Sequence, residues 1–566
     1  MSDSSIEKDG ELRKEVLSAE NHHSSNQKKE SKNKSIQESI ANFFKEDVKS
    51  WLSNKYNLAF LGVLFLAFLI RLKYIGQESM WNDSAVHLWY AIKVTREPLF
   101  FFSRAYLLGD YTIPQTILSF FYLFTRNILL AGQIITMLYA LVGIIFLYLL
   151  GTELKNKFAG ILGAILLTFN HISWFYGTRP LGDSPLLTTT IILLYCMVRL
   201  EKEKTAKWGL LSGILFIAAM FTKVQAMLFS LAVIIYVLLF KRKEMFKERG
   251  TLYSWIIPAG FLLLAQIGGK IFFNAPILDR VFKLFLDTRG MPFGLEAFGM
   301  IKWIFSWQLL LLSVAGLILI LLYKEKKYYF SIILFFFYWL FFEINVDNTQ
   351  DRYVLPLFAV GIILAIFALD EIKSFFELIF GKKRLFYLIP LFLVLLISWN
   401  YYQTGDSLIY SKTFSYTGYQ EAGQWIKDNV PANDPIFAGE YRSIRLFSER
   451  EFGGPPQDED LGGSIWNLRS PHRYTEIYDD VSQKNFEEDV LNLSNYSDVY
   501  LEIDIWEYYQ PKWYFPLSQQ SLEYFTNFGF NLVKVIERDV STNQGIQKMP
   551  VIFIFKKDKV KSIDNV

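Results

Sequence analysis

The segment NLAFLGVLFLAFLI (57–70) has no charged residue, and it is the first of a series of apolar blocks. A helix needs about 20 mostly apolar residues to cross the hydrocarbon core of a bilayer. The chain is therefore predicted to be a polytopic α-helical membrane protein. We expect about eleven spans, at 56–74, 128–150, 159–176, 184–200, 208–222, 224–240, 252–273, 303–323, 328–345, 353–370 and 385–402.

The overall composition agrees with an apolar body that carries polar parts. The 566 residues are 52% hydrophobic and 20% charged, whereas soluble domains average about 45–50% and 25%. The net charge of +3 is too small to indicate a nucleic-acid partner. The single cysteine, Cys196, excludes a disulfide framework and a cysteine metal cluster.

Lysine and arginine in short loops predict the orientation. The basic loops fall on one side, with a cytoplasmic amino terminus, only if the weaker apolar segment 112–126 does not cross. We therefore interpret that segment as juxtamembrane or re-entrant. The basic loops are 155–157, 202–207, 241–249, 324–327 and 381–384.

The polar ends predict three parts. Residues 1–50 are expected to be a disordered cytoplasmic tail, 51–402 the transmembrane domain, and 403–566 an extracytoplasmic α/β domain. The outer loops of the transmembrane domain are expected at 75–127 and 274–302. In the last part, helices are predicted in SYTGYQEAGQWIKDNV (415–430) and SLEYFTNFGF (521–530), and strands in PIFAG (435–439), SDVYLEIDI (497–505) and PVIFIFKK (550–557).

The outer segment ESMWNDSAVHLWYAIKV (78–94) holds the first candidate site residue. Asp83 is expected near the membrane boundary with Trp81 and Trp89 around it. A partly desolvated carboxylate suits a general base, and aromatic side chains could hold a sugar. The alternatives are a solvated loop aspartate or a helix N-cap for Asp83, and an interfacial aromatic belt for the tryptophans.

The turn GTRPLGDSPLL (177–187) lies on the same predicted side. Asp183 or Ser184 could simply cap the following helix, with Pro185 in its first turn. Arg179 could pair with an acid or a phosphate.

Two cations are unusual on a side that the charge bias marks as outer. Lys223 lies between apolar stretches in AAMFTKVQAMLF (218–229), and Arg352 precedes Tyr353 in NTQDRYVLPLF (348–358). A lysine in such surroundings must snorkel or find an anion, and an arginine at a span edge is commonly an anchor. An anionic lipid phosphate would account for both.

The sequence has no pattern typical of a zinc site or of nucleotide binding. His87 and the other histidines are scattered, without HExxH or a His/Cys cluster, and no P-loop or dinucleotide fingerprint occurs. Asp83 and Asp183 are the residues that could bind a divalent cation, if any is bound.

These motifs together resemble the polyprenyl-phosphate-sugar-dependent glycosyltransferases of the GT-C superfamily, especially protein O-mannosyltransferases and lipid A aminoarabinose transferases. The resemblance covers about 56–370, and 420–450 is similar to the soluble end of microbial members. It rests on four features in order: the first-loop aspartate, an Arg…Asp turn, a Thr-Lys turn, and an Arg-Tyr-x-x-Pro motif.

The resemblance implies roles for individual residues. Asp83 would be the base. The residues expected to bind substrate or lipid phosphate are Arg179, Asp183, Lys223, Arg352, Tyr353, His87 and Tyr111. The chain departs from the family where Ser84 replaces a glutamate after Asp83, and where Ile113-Pro114 replaces a Pro-Pro pair.

The expected function is an inverting transfer of a sugar, a hexose such as mannose, from a polyprenyl or dolichyl phosphate to a hydroxyl of a protein, lipid or glycan. It would need no cofactor. The alternative is a transporter or flippase for lipid-linked sugars, which would need ionisable residues along a path through the spans. An oligosaccharyltransferase is disfavoured because no WWDYG-type string occurs in the soluble part.

Overall fold

The computed structural model describes residues 48–77, 80–103, 112–273, 295–345, 349–381, 384–450, 480–506 and 517–560. Almost all of the expected tail 1–50, and most of the expected outer loop 274–302, lie outside these ranges. By their internal contacts, residues 1–62 and 63–566 are separate units. The described part of the first unit is helix α1 and the beginning of helix α2.

Helices make up most of the described residues as far as residue 412. Short 3-10 turns occur at Pro98–Phe102, Val224–Ala226, Lys326–Tyr328 and Arg384–Tyr387. The α-helices are α1 Val48–Ser53, α2 Lys55–Leu72, α3 Asn82–Arg96, α4 Thr112–Thr125, α5 Ile128–Leu154, α6 Lys157–Phe169, α7 His171–Tyr176, α8 Asp183–Glu203, α9 Ala206–Met220, α10 Met227–Phe240, α11 Arg249–Phe273, α12 Glu296–Tyr323, α13 Tyr329–Asn345, α14 Asp351–Val354, α15 Pro356–Phe380 and α16 Leu388–Lys412.

The predicted polytopic α-helical fold is confirmed. Each of the predicted apolar segments is helical, and seven described helices are long and apolar enough to cross a membrane. Three further apolar helices are shorter. How many helices cross the bilayer stays a prediction.

Small residues bring the helices that carry the candidate site close together. At Gly132 of α5, an added Cβ would lie 2.8 Å from Cβ of Pro180, so only glycine admits the turn before α8. At Gly143, a Cβ would lie 2.9 Å from the hydroxyl of Thr188, which itself donates to Tyr139 O at 2.7 Å. These contacts set the position at which α8 begins.

The first half of helix α15 is buried. Its residues from Pro356 to Leu369 are all buried. The α12 helix packs against it at glycines, with Phe305 of α12 over Gly361 and Gly316 of α12 against the backbone of Leu364. A buried α15 holds the residues just before it, α14, in one place.

The carboxyl-terminal part has a mixed sheet with helices on both faces. Its elements are α17 Tyr419–Asn429, β1 Ile436–Ala438, α18 Tyr441–Ser448, α19 Asp480–Ser494, β2 Val499–Asp504, α20 Gln519–Asn527, β3 Asn531–Thr542 and β4 Gly545–Lys557. The strand order is β1-β2-β4-β3, with β1 and β2 parallel and the other pairs antiparallel. One core joins α17 to Ile552 and Ile554, and another joins α19 to Leu501 and Phe555. The predicted α/β character is confirmed. The structure also contains β3, α18 and α19, which the sequence analysis did not predict.

Candidate active site

Asp83 lies in the first turn of α3, which is amphipathic. Ala85, Leu88 and Trp89 are buried, and the helix starts after Trp81 without a side-chain cap. The N-cap interpretation of Asp83 is therefore wrong. Its half-buried carboxylate instead accepts from Arg352 Nη1 at Oδ2, over 2.9 Å.

Asp183 is the first residue of α8, and it does not cap that helix either. Gly182 occupies the cap position, without a side-chain cap bond, so the capping interpretation of Asp183 and Ser184 is wrong. Lys223 Nζ donates to Asp183 Oδ1 over 2.5 Å. The pair is buried, with side-chain exposures of 11% for the lysine and 1% for the aspartate.

Arg352 and Tyr353 belong to α14, the single turn before α15. The carboxylate of Asp351 fixes this turn by accepting from Arg352 N at 2.7 Å and from Tyr176 Oη at 2.8 Å. The Tyr353 ring centre lies 5.3 Å from Lys223 Nζ and 5.4 Å from the Arg352 guanidinium. Tyr353 therefore adjoins both cations.

Aromatic rings hold the arginines of the site. The guanidinium of Arg179 lies 3.8 Å from the ring centre of Phe175 and 5.4 Å from that of Trp81. Arg352 lies 5.6 Å from the same Trp81 ring. Trp81 thus lies beside two cations, a placement that a membrane-interface belt does not require.

The last two predicted site residues have different outcomes. His87 lies one turn after Asp83 on α3, and its Nδ1 is 3.0 Å from Gln115 Nε2 of α4. That contact joins α3 to the helix α4, Thr112–Thr125, which forms most of the segment 112–126. Tyr111 lies outside the described residues.

Sequence reasoning did not single out Asp351 or Arg442. Arg442 lies at the beginning of α18, and its Nη1 is 3.4 Å from Asp83 Oδ1. The string EYRSIRLFS (440–448) contains it. A short polar helix in a soluble domain carries no local signal that it reaches a membrane-proximal carboxylate.

Two carboxyl groups of the site have opposite pKa shifts. Burial raises the pKa of Asp83, but the charge of Arg352, its hydrogen bond and the charge of Arg442 outweigh this effect, so the net pKa is lowered. Burial raises the pKa of Asp351 above its ordinary value, despite hydrogen bonds from Tyr176 and the Arg352 backbone. Asp83 is thus held as a carboxylate.

The described residues contain no group of three His, Cys, Asp or Glu side chains arranged to hold a metal ion. Asp83 and Asp183 face Arg352, Arg442 and Lys223, so their charge is already compensated by the chain. Such a donor set does not fit a divalent cation well, because the cation would have to displace those side chains.

Solved structures have a similar fold over most of this chain. ArnT from Cupriavidus metallidurans bound to undecaprenyl phosphate aligns with a TM-score of 0.57 at 11% identity, covering 90% of this chain and 99% of that one. The apo form of ArnT gives 0.58 at 11% identity, with coverages of 90% and 98%. The oligosaccharyltransferase of Archaeoglobus fulgidus, in complex with zinc and sulfate, gives 0.52 at 11%, with coverages of 86% and 72%. The chain has the GT-C fold.

Sequence comparison agrees over a shorter length. The family model for dolichyl-phosphate-mannose-protein mannosyltransferases matches residues 113–265, which include Asp183 and Lys223. No curated protein sequence matches the chain. The resemblance to GT-C enzymes of the protein mannosyltransferase and ArnT type is confirmed, and the chain is a multi-pass membrane protein.

Proposed function

We propose that the chain is an inverting glycosyltransferase that moves a sugar from a polyprenyl or dolichyl phosphate to an acceptor hydroxyl on the outer face. The observation that carries this proposal is the convergence of Asp83, Asp183, Lys223 and Arg352, from four separate segments, at one place. A hexose such as mannose is the expected sugar because of the mannosyltransferase match. The acceptor would be a protein, lipid or glycan.

Arg352 and Lys223 would bind the donor phosphate. Both cations hold carboxylates here, so an incoming phosphate competes with Asp83 and Asp183 for them. Arginine binds phosphate oxygens through paired charge-assisted hydrogen bonds. Arg352 is already oriented, because its guanidinium lies beside Trp81 and its backbone N–H donates to Asp351. This exchange would free an oxygen of Asp83 when the donor arrives.

The chemical step would be a single displacement. The acceptor oxygen attacks the anomeric carbon, its proton passes to Asp83, and the bond from that carbon to the phosphate oxygen breaks with its electron pair on the phosphate. Arg352 and Lys223 stabilise the charge that grows on the leaving phosphate. One displacement inverts the configuration at the anomeric carbon.

The test measures the transfer of radiolabelled sugar by the full-length protein. The membranes come from the encoding organism after deletion of its gene for this protein, and the protein or a variant is then supplied. Mannosyl, glucosyl and aminoarabinosyl polyprenyl phosphates are offered in parallel. Asp83→Asn should lower turnover by about 10²–10⁴-fold, the usual contribution of a general base. Asp498→Asn is the matched control, because Asp498, directly before β2, also pairs with a cation, Lys556 of β4 at 2.8 Å.

Near-normal transfer by Asp83→Asn would end the assignment of the base. Lipid movement across vesicles, with no sugar transfer from any donor, would support the flippase instead. Protein yield and elution volume in detergent show whether a variant is folded, so loss of activity is not confused with loss of structure.

A further inference from the structure

Helix α18 begins at a well-defined place in the carboxyl-terminal part. Glu440 is buried and caps the helix, because its Oε1 accepts from the backbone N–H of Arg442 at 3.1 Å. Ile444 is buried in the core beneath α17. The backbone of Arg442 is therefore held by contacts within the carboxyl-terminal domain.

The same helix packs against α3, the helix that carries Asp83. Leu446 is buried in one cluster with Ala85 and Leu88 of α3. The guanidinium of Arg445 lies 5.4 Å from the ring centre of Trp89. Farther along α3, Arg96 Nη2 pairs with Glu449 at 2.5 Å.

Arg442 and Arg352 take different oxygens of one carboxylate. Arg352 approaches Oδ2 of Asp83 at 2.9 Å and Arg442 approaches Oδ1 at 3.4 Å. A carboxylate held at both oxygens has a fixed plane, whereas one held at a single oxygen can still rotate. The two arginines come from different parts of the chain, α14 beside the membrane helices and α18 of the sheet domain.

We propose that Arg442 is a positioning residue for sugar transfer: it orients Asp83 from the carboxyl-terminal domain. This inference rests on the proposed function. When the donor phosphate engages Arg352, Asp83 loses one of its two cations, and Arg442 keeps the carboxylate directed at the acceptor hydroxyl. Transfer thereby depends on the docking of α18 against α3.

A positioning role makes a specific kinetic prediction. Arg442→Gln should lower kcat by about 10–100-fold, since misplacing a catalytic group by about 1 Å has effects of that order. The KM for the donor should stay within about twofold, because Arg442 does not contact the phosphate in this role. Arg442→Lys keeps the charge and should recover part of kcat.

The matched control is Arg96→Gln. Arg96 bridges the same two helices, through Glu449, but lies well along α3 from Asp83. Its loss removes that ion pair but leaves the Leu446 contact with α3 and the Arg442–Asp83 contact in place, so kcat should stay near that of the unmodified protein. The thermal unfolding temperature in detergent should fall by a similar amount in both glutamine variants, because each variant loses one ion pair between α3 and α18.

The experiment uses the full chain, the same membranes and the labelled donor that supports transfer. Three results together support the inference. Arg442→Gln lowers kcat at constant KM, Arg442→Lys recovers part of the kcat, and Arg96→Gln leaves kcat unchanged. Equal kcat in both glutamine variants overturns it in favour of a structural contact. A raised KM at unchanged kcat overturns it in favour of phosphate binding. Absence of transfer by the unmodified protein refutes the proposed function and this inference with it.

Discussion

The Nη1 atom of Arg352 lies 2.9 Å from Oδ2 of Asp83, although 269 positions separate the two residues. The pair joins the segment after the first predicted span to the turn before α15. On the proposed mechanism it also links the phosphate-binding cation to the base. Each partner is therefore sensitive to what the other binds.

Removing the guanidinium of Arg352 should weaken binding of the lipid phosphate. A hydrogen bond to a charged group contributes about 1.5–3 kcal/mol, so Arg352→Ala should raise the Kd for polyprenyl phosphate by about 10–100-fold. Trp81 lies 5.6 Å from this guanidinium, so tryptophan fluorescence should report the binding. Polyprenol without phosphate is the control ligand. Equal affinity of the variant and the unmodified protein would contradict the assignment of Arg352.

The buried pair of Lys223 and Asp183 should show strong coupling. Lys223→Met leaves the buried Asp183 charge without its partner and should cost about 3–5 kcal/mol in the free energy of unfolding. Adding Asp183→Asn removes that charge, so the double variant should be more stable than Lys223→Met alone. It should still not transfer sugar, because the phosphate has lost a cation.

Stability would be measured by chemical or thermal unfolding in detergent. The control is Lys484→Met, since Lys484 pairs with Glu488 at 3.7 Å on an exposed helix face and should have little effect. Additive effects of the Lys223 and Asp183 changes would show that the pair is not coupled.

The lowered pKa of Asp83 predicts the acid side of the pH profile. The pKa of Asp83 in the folded protein lies below its ordinary value of 3.8. Such a carboxyl group stabilises the folded protein at pH values above 3.8, and this stabilisation is lost as the pH falls through the pKa of the folded state. In kcat/KM, which reports the free enzyme, Asp83 should therefore cause no decline between about pH 4.5 and 8.

His87 must be separated from Asp83 in that measurement. Its charge contributes to lowering the pKa of Asp83. A decline in kcat/KM that disappears in His87→Gln belongs to the histidine. A decline at about pH 5–6 that persists in His87→Gln would mean that the pKa of Asp83 is raised, contrary to the charges around it.

Metal removal should leave sugar transfer unchanged. Asp83 and Asp183 are compensated by arginine and lysine side chains, which leaves them poorly suited to a divalent cation. We expect equal turnover with EDTA and with added Mg²⁺ or Mn²⁺. Loss of turnover with EDTA and its recovery with one metal would instead assign both aspartates to a metal site.

Local pattern predicted the helices well because hydropathy is a property of neighbouring residues. The runs near 57–70 and 128–150 are helical, as are the other predicted segments. The sequence analysis missed the strand β3 because its apolar residues do not alternate regularly with polar ones. In the structure only Ile536 and Val540 of this strand are buried. It is a strand because it pairs with β4.

The candidate site was predicted as a set of residues but not as a set of partners. Lys223 and Arg352 stood out because ionisable side chains are costly beside apolar segments. Asp83 and Asp183 stood out by their segments on the predicted outer side and by the motifs of the resemblance. Which cation meets which carboxylate depends on how the helices pack. The capping interpretation of Asp183 was wrong because Gly182 occupies the cap position, and Asp183, inside the helix, pairs with Lys223 instead.

The sequence by itself determined the membrane-helical body, the α/β character of the end, and the few charged residues that apolar surroundings single out. These follow from the free energy of moving side chains between water and hydrocarbon, which is read residue by residue along the chain. Only the tertiary structure decided that Arg352 and Arg442 share Asp83 and that Lys223 pairs with Asp183. Ion pairs act over a few ångströms, and only the packing of distant segments brings these side chains within that range.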